Sequence, residues 1–172
     1  KLDFYGIRGV ANKWIQSYLM NRSQYVNFNG TTSSCKSITC GVPQGSILGP
    51  LLFLVYINDL AFVSETLNSI IFADDTNVFI SGKNLTVLEN TMNTELKLLV
   101  SRLEANKLSL NINKTNYMLF RPNKKHISTP LCIKINEKVI EEVESTKFLG
   151  VLLDNKLSWK QHVRFTSRKI SK

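Results

Sequence analysis

The sequence predicts an α+β fold, and three observations predict it. Residues 85–103 carry an apolar stripe of helical period. Turn pairs such as Asn29-Gly30 and Asn136-Glu137 separate short segments rich in strand formers. Helices and hairpins then follow one another without the regular strand–helix–strand alternation of a parallel sheet. The 172 residues, 43% of them hydrophobic, are enough for a buried core and suit one domain or a piece of a larger protein.

Residues 9–22 (GVANKWIQSYLMNR) predict a short helix with Trp14, Ile15, Tyr18 and Leu19 on one face. Residues 23–41 (SQYVNFNGTTSSCKSITCG) predict a hairpin, because Asn29 and Gly30 tolerate the positive φ of a two-residue turn. Residues 41–60 (GVPQGSILGPLLFLVYINDL) predict a Gly/Pro loop entering a buried helix. Ser46 is its N-cap, and Pro50 falls in an early turn, where a missing N–H does least harm. Two short apolar strands follow in residues 70–80, on either side of Asp74-Asp75. Next, Leu85, Leu88, Met92, Leu96, Leu99 and Leu103 recur at steps of three and four behind Asn84, a good N-cap. Residues 107–120, 131–140 and 147–154 predict strands, with turns at Asn113-Lys114, Asn136-Glu137 and Asp154-Asn155. Ser158 is placed to cap a last, basic helix over residues 159–170.

The net charge is +9, unevenly spread. Residues 1–106 hold 8 basic and 8 acidic side chains, whereas residues 107–172 hold 14 and 5. A basic half suits a polyanionic partner; a solvated cationic face is the plainer alternative. Cys35, Cys40 and Cys132 are too few and too irregular for a disulfide framework or a zinc site, which implies reduced thiols in an intracellular protein. His126 and His162 join no ligand cluster. The most apolar run, residues 47–60, is shorter than the roughly 20 residues a bilayer span needs, and no signal peptide is visible. No membrane partner is expected. The first residue is Lys1, as in a segment of a longer protein.

Asp74 and Asp75 set two like charges side by side in an apolar setting, IIFADDTNVFI. Asp is a good turn residue, so turn chemistry alone is one explanation. The other is a metal site. Mg²⁺ takes hard oxygen ligands together with substrate phosphates, and its charge offsets the repulsion between the two carboxylates. Two such ions suit in-line phosphoryl transfer.

The stretch FADD (Phe72, Ala73, Asp74, Asp75) resembles the aromatic-x-Asp-Asp box of reverse transcriptases. Residues 41–60 resemble the segment before that box in non-LTR retrotransposons, especially Jockey-like and related LINE elements. Downstream, residues 105–120 (ANKLSLNINKTNYMLF) resemble the next palm motif, and residues 146–163 (TKFLGVLLDNKLSWKQHV) the primer grip. The opening, residues 5–26, is similar to the stretch between the first two catalytic motifs. These blocks follow the family order and span the chain from residue 5 to residue 163.

The resemblance implies a polymerase palm, a split βαβ with an antiparallel sheet and packed helices, over residues 1–157. Residues 158–172 would open a helical thumb. It implies an RNA-directed DNA polymerase adding dNTPs to a DNA primer on an RNA template, with two Mg²⁺ ions that Mn²⁺ can replace, in nucleus and cytoplasm. Asp74 would be a metal ligand and Asp75 its partner, with Phe72 and Ala73 facing the primer end. Gln44 and Gly45 would approach the nucleotide or template, and a helix N-terminus behind them would offer N–H groups to a phosphate. Without the neighbouring blocks they read as a plain Gly/Pro turn. Lys114 would bind the triphosphate or protonate the leaving pyrophosphate, or be a solvated turn lysine. Phe148, Leu149 and Gly150 would form the primer grip, or simply pack. Lys160, Arg164, Arg168, Lys169 and Lys172 would contact phosphates without reading sequence.

One catalytic Asp of such polymerases belongs to a motif that precedes the matching stretch, so the chain alone is expected to lack polymerase activity. Arg102 stands where the family often has an aromatic. A non-catalytic nucleic-acid-binding derivative is the alternative from another class. An RNA-recognition module is disfavoured by the lack of its K/R-G-F/Y-x-F/Y strand. An RNA-dependent RNA polymerase is disfavoured by Ala73 and by the Pro43-Gln44-Gly45 block.

Overall fold

The computed structural model of the chain describes residues 1–121 and 130–171. His126 and Lys172 lie outside them. The fold mixes helices with small two-stranded sheets, as the α+β expectation requires, and divides into two compact units. Unit 1 comprises Lys1–Ala61 with Ile70–Asn77, and unit 2 comprises Phe62–Ser69 with the chain from Val78 onward.

Unit 1 begins with helix α1 (Gly9–Leu19). It stops before the predicted end, because Asn21 turns the chain at φ 53° and Arg22 enters a strand. Its inner face is Ile15 with the half-buried Tyr18 and Leu19. Trp14, one position and about 100° away from Ile15, is 58% exposed and leaves that face. Strands β1 (Arg22–Gln24) and β2 (Asn27–Phe28) pair antiparallel with β4 (Lys36–Ile38) and β3 (Thr31–Thr32). The turn is Asn29-Gly30, both at positive φ, as predicted. Two residues separate the ladders on the outgoing arm and three on the return, so the return arm bulges; there Ser33 N donates to Val26 O at 2.9 Å and Val26 N to Ser33 Oγ at 2.9 Å.

Helix α2 (Leu48–Ile57) is apolar all round. Gly49, Phe53 and Ile57 line its inner side, while Ile47, Leu51 and Leu54 stand opposite and exposed. The expected burial therefore holds on one side only. Its C-terminal end is tied to the start of the chain: Lys1 Nζ meets Asp59 Oδ1 at 2.7 Å and lies 4.6 Å from the Tyr56 ring centroid, and Asn58 Nδ2 donates to Tyr5 Oη at 3.0 Å.

Strands β5 (Asn68–Phe72) and β6 (Asp75–Phe79) pair as a hairpin whose tip belongs to unit 1 and whose base belongs to unit 2. Helix α3 (Leu85–Ala105) starts where predicted: Asn84 Oδ1 accepts from Thr86 N at 2.9 Å and Val87 N at 3.2 Å. Leu96, Leu99, Val100 and Leu103 are buried, and Leu85, Leu88 and Met92 are half-buried on the same stripe. Leu96 and Val100 share a core cluster with Leu131, Ile133, Ile135 and Ile140. Full burial of each such side chain contributes about 1.5–3 kcal/mol.

Among the described residues there is no continuous antiparallel sheet. The strands form six separate pairs, and one of these, β7 (Asn116–Tyr117) with β10 (Glu141–Glu142), is parallel. Part of the reason is that side chains of α3 take the place of a neighbouring strand. Asn93 Nδ2 donates to Cys132 O at 2.9 Å, Asn93 Oδ1 accepts from Lys134 N at 2.8 Å, and Glu89 Oε2 accepts from Cys132 N at 3.1 Å. With those backbone groups satisfied, that edge of the segment needs no strand, while on its other edge Ile140 N donates to Ile133 O at 2.9 Å. Hairpin β8 (Lys134–Ile135) and β9 (Lys138–Val139) turns at Asn136-Glu137, both at positive φ, as predicted. The strand predicted over residues 107–120 is mostly absent; a single 3₁₀ turn, Ile112–Lys114, precedes β7. The segment KFLGVLLD, predicted as one strand, is two: β11 (Ser145–Phe148) and β12 (Val151–Asp154), antiparallel, with Leu149-Gly150 as the turn. Helix α4 (Lys160–Ile170) ends the described chain. Among the described residues no helix is long and apolar enough to cross a membrane.

Candidate active site

The β5–β6 connection has two residues, Ala73 and Asp74, and Asp75 opens β6. Ala73 adopts φ 52°, a left-handed conformation that an L side chain resists by about 1–2 kcal/mol. That tight turn presents both carboxylates and Phe72 to solvent. Among the described residues neither the Asp74 nor the Asp75 carboxylate takes part in a hydrogen bond or ion pair. Their oxygens, hard donors uncommitted to the protein, fit a divalent cation that keeps water and phosphate as its other ligands. Among the described residues no cluster of three His, Cys, Asp or Glu side chains forms.

In the same unit, the loop before α2 turns through Pro43 to Ser46, with Ser46 N donating to Pro43 O at 3.2 Å and Gly45 at φ 79°. Gln44 and Gly45 are exposed at its corner. A Cβ on Gly45 would meet nothing within 4 Å, so the glycine serves the φ angle and leaves the backbone open to an incoming group. Ser46 does cap the helix, as its Oγ accepts from Gly49 N at 3.1 Å. With that N–H used and Pro50 lacking one, fewer donors face a phosphate than a bare helix end would offer. The sequence reading missed Gly49. A Cβ there would lie 2.9 Å from Ser46 Oγ and 3.3 Å from Val42 Cγ2, so only glycine keeps both the cap and the loop packing. A lone glycine inside the apolar run SILGPLL is the signal that pointed to it.

The remaining predicted residues belong to unit 2. Lys114 ends the 3₁₀ turn, exposed and with its ammonium unpaired among the described residues. Three residues on, the Tyr117 hydroxyl is shared between Leu131 O at 2.7 Å and Glu142 Oε2 at 3.1 Å. Burial first, and the Glu142 charge second, push that phenol up to about 12, so it acts as a structural donor. Phe148 pairs with Val151 and is half-buried, while Leu149 at φ 46° is exposed at the turn beside Gly150 at φ 89°.

Sequence reasoning read Asp154 as a turn residue, and the structure gives it more. It is 5% exposed, and its carboxylate accepts from Lys156 N at 3.0 Å, from Ser158 N at 3.1 Å and from Ser158 Oγ at 2.9 Å. The Ser158 N–H is the strongest influence holding this carboxyl below the usual aspartate value, against the opposing effect of burial. Ser158 is therefore Asp154's partner and not the cap of α4, whose first turn has no side-chain cap. On α4, Lys160, Arg164 and Arg168 recur every four residues along one exposed line; Lys169 is exposed but off it.

The reverse transcriptase (RNA-dependent DNA polymerase) family profile matches residues 2–153. The chain is 28% identical over 158 residues to the RNA-directed DNA polymerase from mobile element jockey of Drosophila melanogaster, covering 87% of this chain and 17% of the relative. It is 31% identical over 157 residues to the probable RNA-directed DNA polymerase from transposon X-element of the same species, covering 87% and 16%. A Pol polyprotein from type-1 retrotransposable element R1 of Bradysia coprophila is 27% identical over 161 residues, covering 91% and 16%. The chain thus spans about a sixth of the length of these relatives. No solved structure gives a significant match. The chain belongs to the reverse transcriptase family, on the branch of the non-LTR retrotransposons.

Proposed function

We propose that the chain is the palm and the opening of the thumb of an RNA-directed DNA polymerase. The observation that carries this is the pair of exposed carboxylates, Asp74 in a strained two-residue turn and Asp75 directly after it, without partners among the described residues, in a chain of this family. Asp74 and Asp75 would hold Mg²⁺ or Mn²⁺. When bound, the divalent ions would neutralise the triphosphate and favour attack by the primer hydroxyl. Phe72 and Ala73 flank the pair and would meet the primer terminus, and the exposed Gln44-Gly45 corner would meet the incoming nucleotide and its template base. Lys114, exposed on its 3₁₀ turn, would bind the triphosphate or supply a proton to pyrophosphate. The Leu149-Gly150 turn would support the primer backbone, and Lys160, Arg164, Arg168 and Lys169 would meet template–primer phosphates.

Fluorescent dNTP binding tests this. In Mg²⁺ the chain is expected to bind a mant-labelled dNTP in the presence of an RNA–DNA hybrid with a recessed 3′ end. The Asp74→Asn/Asp75→Asn variant is expected to lose the nucleotide and keep the hybrid. Nucleotide binding that ignores both Mg²⁺ and the double substitution would contradict the proposal. Hybrid binding with no nucleotide binding at all would favour the non-catalytic alternative.

A further inference from the structure

Between β12 and α4 the chain reverses direction within residues 155–159. Two of these adopt left-handed backbone although neither is glycine, Leu157 at φ 51° and Trp159 at φ 61°. At about 1–2 kcal/mol each, such a connection does not form by local preference. Packing of the helix contributes only in part, since α4 has no fully buried residue and only His162 and Thr166 are half-buried. What holds the connection is the Asp154 carboxylate, with its bonds from Lys156 and Ser158, helped by Leu157 N to Asp154 O at 2.9 Å and Asn155 N to Glu144 O at 2.9 Å. A second tie follows one turn into the helix. His162 Nδ1 accepts from Leu152 N at 3.2 Å, and the Trp159 ring meets His162 edge-on with centroids 6.1 Å apart.

We propose that Asp154 is a positioning residue: it fastens α4 to the Leu149-Gly150 hairpin as one rigid grip on the sugar–phosphate backbone of a nucleic-acid duplex. The partner's class rests on the reading under Proposed function, and the role of Asp154 is the addition. Leu152, held by His162, lies only two residues from the turn, so hairpin and helix are joined through the same strand. Residues 160–170 contain no acid. Lys160, Arg164 and Arg168 advance about 6 Å per step along the helix and present a spaced row of charge to a phosphate backbone. A helix free to swing would not hold that row in a fixed place.

Charge alone and positioning make opposite forecasts for Asp154. Removing an acid beside a polyanion site should tighten binding by electrostatics, and removing the fastener should weaken it. The test is fluorescence anisotropy of a labelled RNA–DNA hybrid with the 172-residue chain across a KCl series. Lys160→Ala/Arg164→Ala/Arg168→Ala is expected to flatten the slope of log affinity against log salt by about 2–3. Asp154→Ala is expected to weaken binding and flatten the slope by a comparable amount, with far-UV circular dichroism retained. Asp154→Asn, which keeps one acceptor for the two N–H groups, is expected to fall between Asp154→Ala and the unsubstituted chain, and it serves if Asp154→Ala does not fold. Tighter or unchanged binding with an unchanged slope in the Asp154 variants, beside a flattened triple variant, would overturn the positioning role alone. An unchanged slope in the triple variant would overturn the phosphate reading of α4 and this inference with it, leaving the nucleotide test at Asp74-Asp75 to stand by itself.

Discussion

Ala73 and Leu149 occupy the same kind of place, the first position of a two-residue hairpin turn, at φ 52° and 46°. Asn or Gly would sit there without strain, as Asn29 and Asn136 do in the other two-residue turns. Strain of this sort persists where something other than stability selects the residue, and both turns carry candidate site residues. The balance at Ala73 can be measured. Glycine would relieve about 1–2 kcal/mol of left-handed strain and forfeit about 0.4–1 kcal/mol through the looser unfolded chain. Relief is the larger effect. Ala73→Gly is expected to stabilise the protein by about 0.5–1 kcal/mol, raising the thermal midpoint by roughly 1–4 °C. A lower midpoint would show that the alanine methyl makes a packing contribution greater than its strain.

Elements with a strong local signal were legible before the structure. The α3 stripe and its Asn84 cap, the Asn29-Gly30 turn and the Asn136-Glu137 turn all rest on chemistry contained within a few residues. The hairpin at Asp74-Asp75 was legible for the same reason, though its turn is Ala73-Asp74 and Asp75 already lies in the strand. Misreadings came where a distant group decided the outcome. KFLGVLLD alternates like one strand, and nothing local announces that Leu149 will accept a left-handed turn. Ser158 looks like a helix cap until Asp154, four residues back, claims both its N–H and its hydroxyl. The missing ladder beside residues 131–134 could not be read either, because its substitute is Asn93, about forty residues away. That clip invites a test. Asn93→Ala strands a backbone carbonyl and a backbone N–H and is expected to destabilise the chain by about 1–3 kcal/mol in urea unfolding. A change below about 0.5 kcal/mol, the range of ordinary surface substitutions, would mean that water or another strand serves those groups equally well.

Across the whole molecule the candidate residues fall into two groups that match the two compact units. Asp74, Asp75, Phe72, Ala73, Gln44 and Gly45 lie in one; Lys114, the Leu149-Gly150 turn and α4 lie in the other. The positive excess follows the second group, where phosphate contacts are proposed, while the metal pair sits in the charge-balanced part of the sequence. Family and order of motifs were legible at this scale because several spaced blocks had to agree; the pairing of short strands was not, since two- to five-residue strands leave almost no register information. The central claim is that Asp74 and Asp75 hold divalent cations, and the molecule contains its own control. Glu141 and Glu142 are also adjacent, acidic and exposed, but they lie in a strand, where neighbouring side chains point to opposite faces. Substoichiometric Mn²⁺ added to ¹⁵N-labelled protein decides between the pairs. The expected result is selective broadening of the amide signals of residues 72–76, removed by Asp74→Asn/Asp75→Asn. Broadening shared equally with residues 141–142, or absent from the hairpin, would contradict the account.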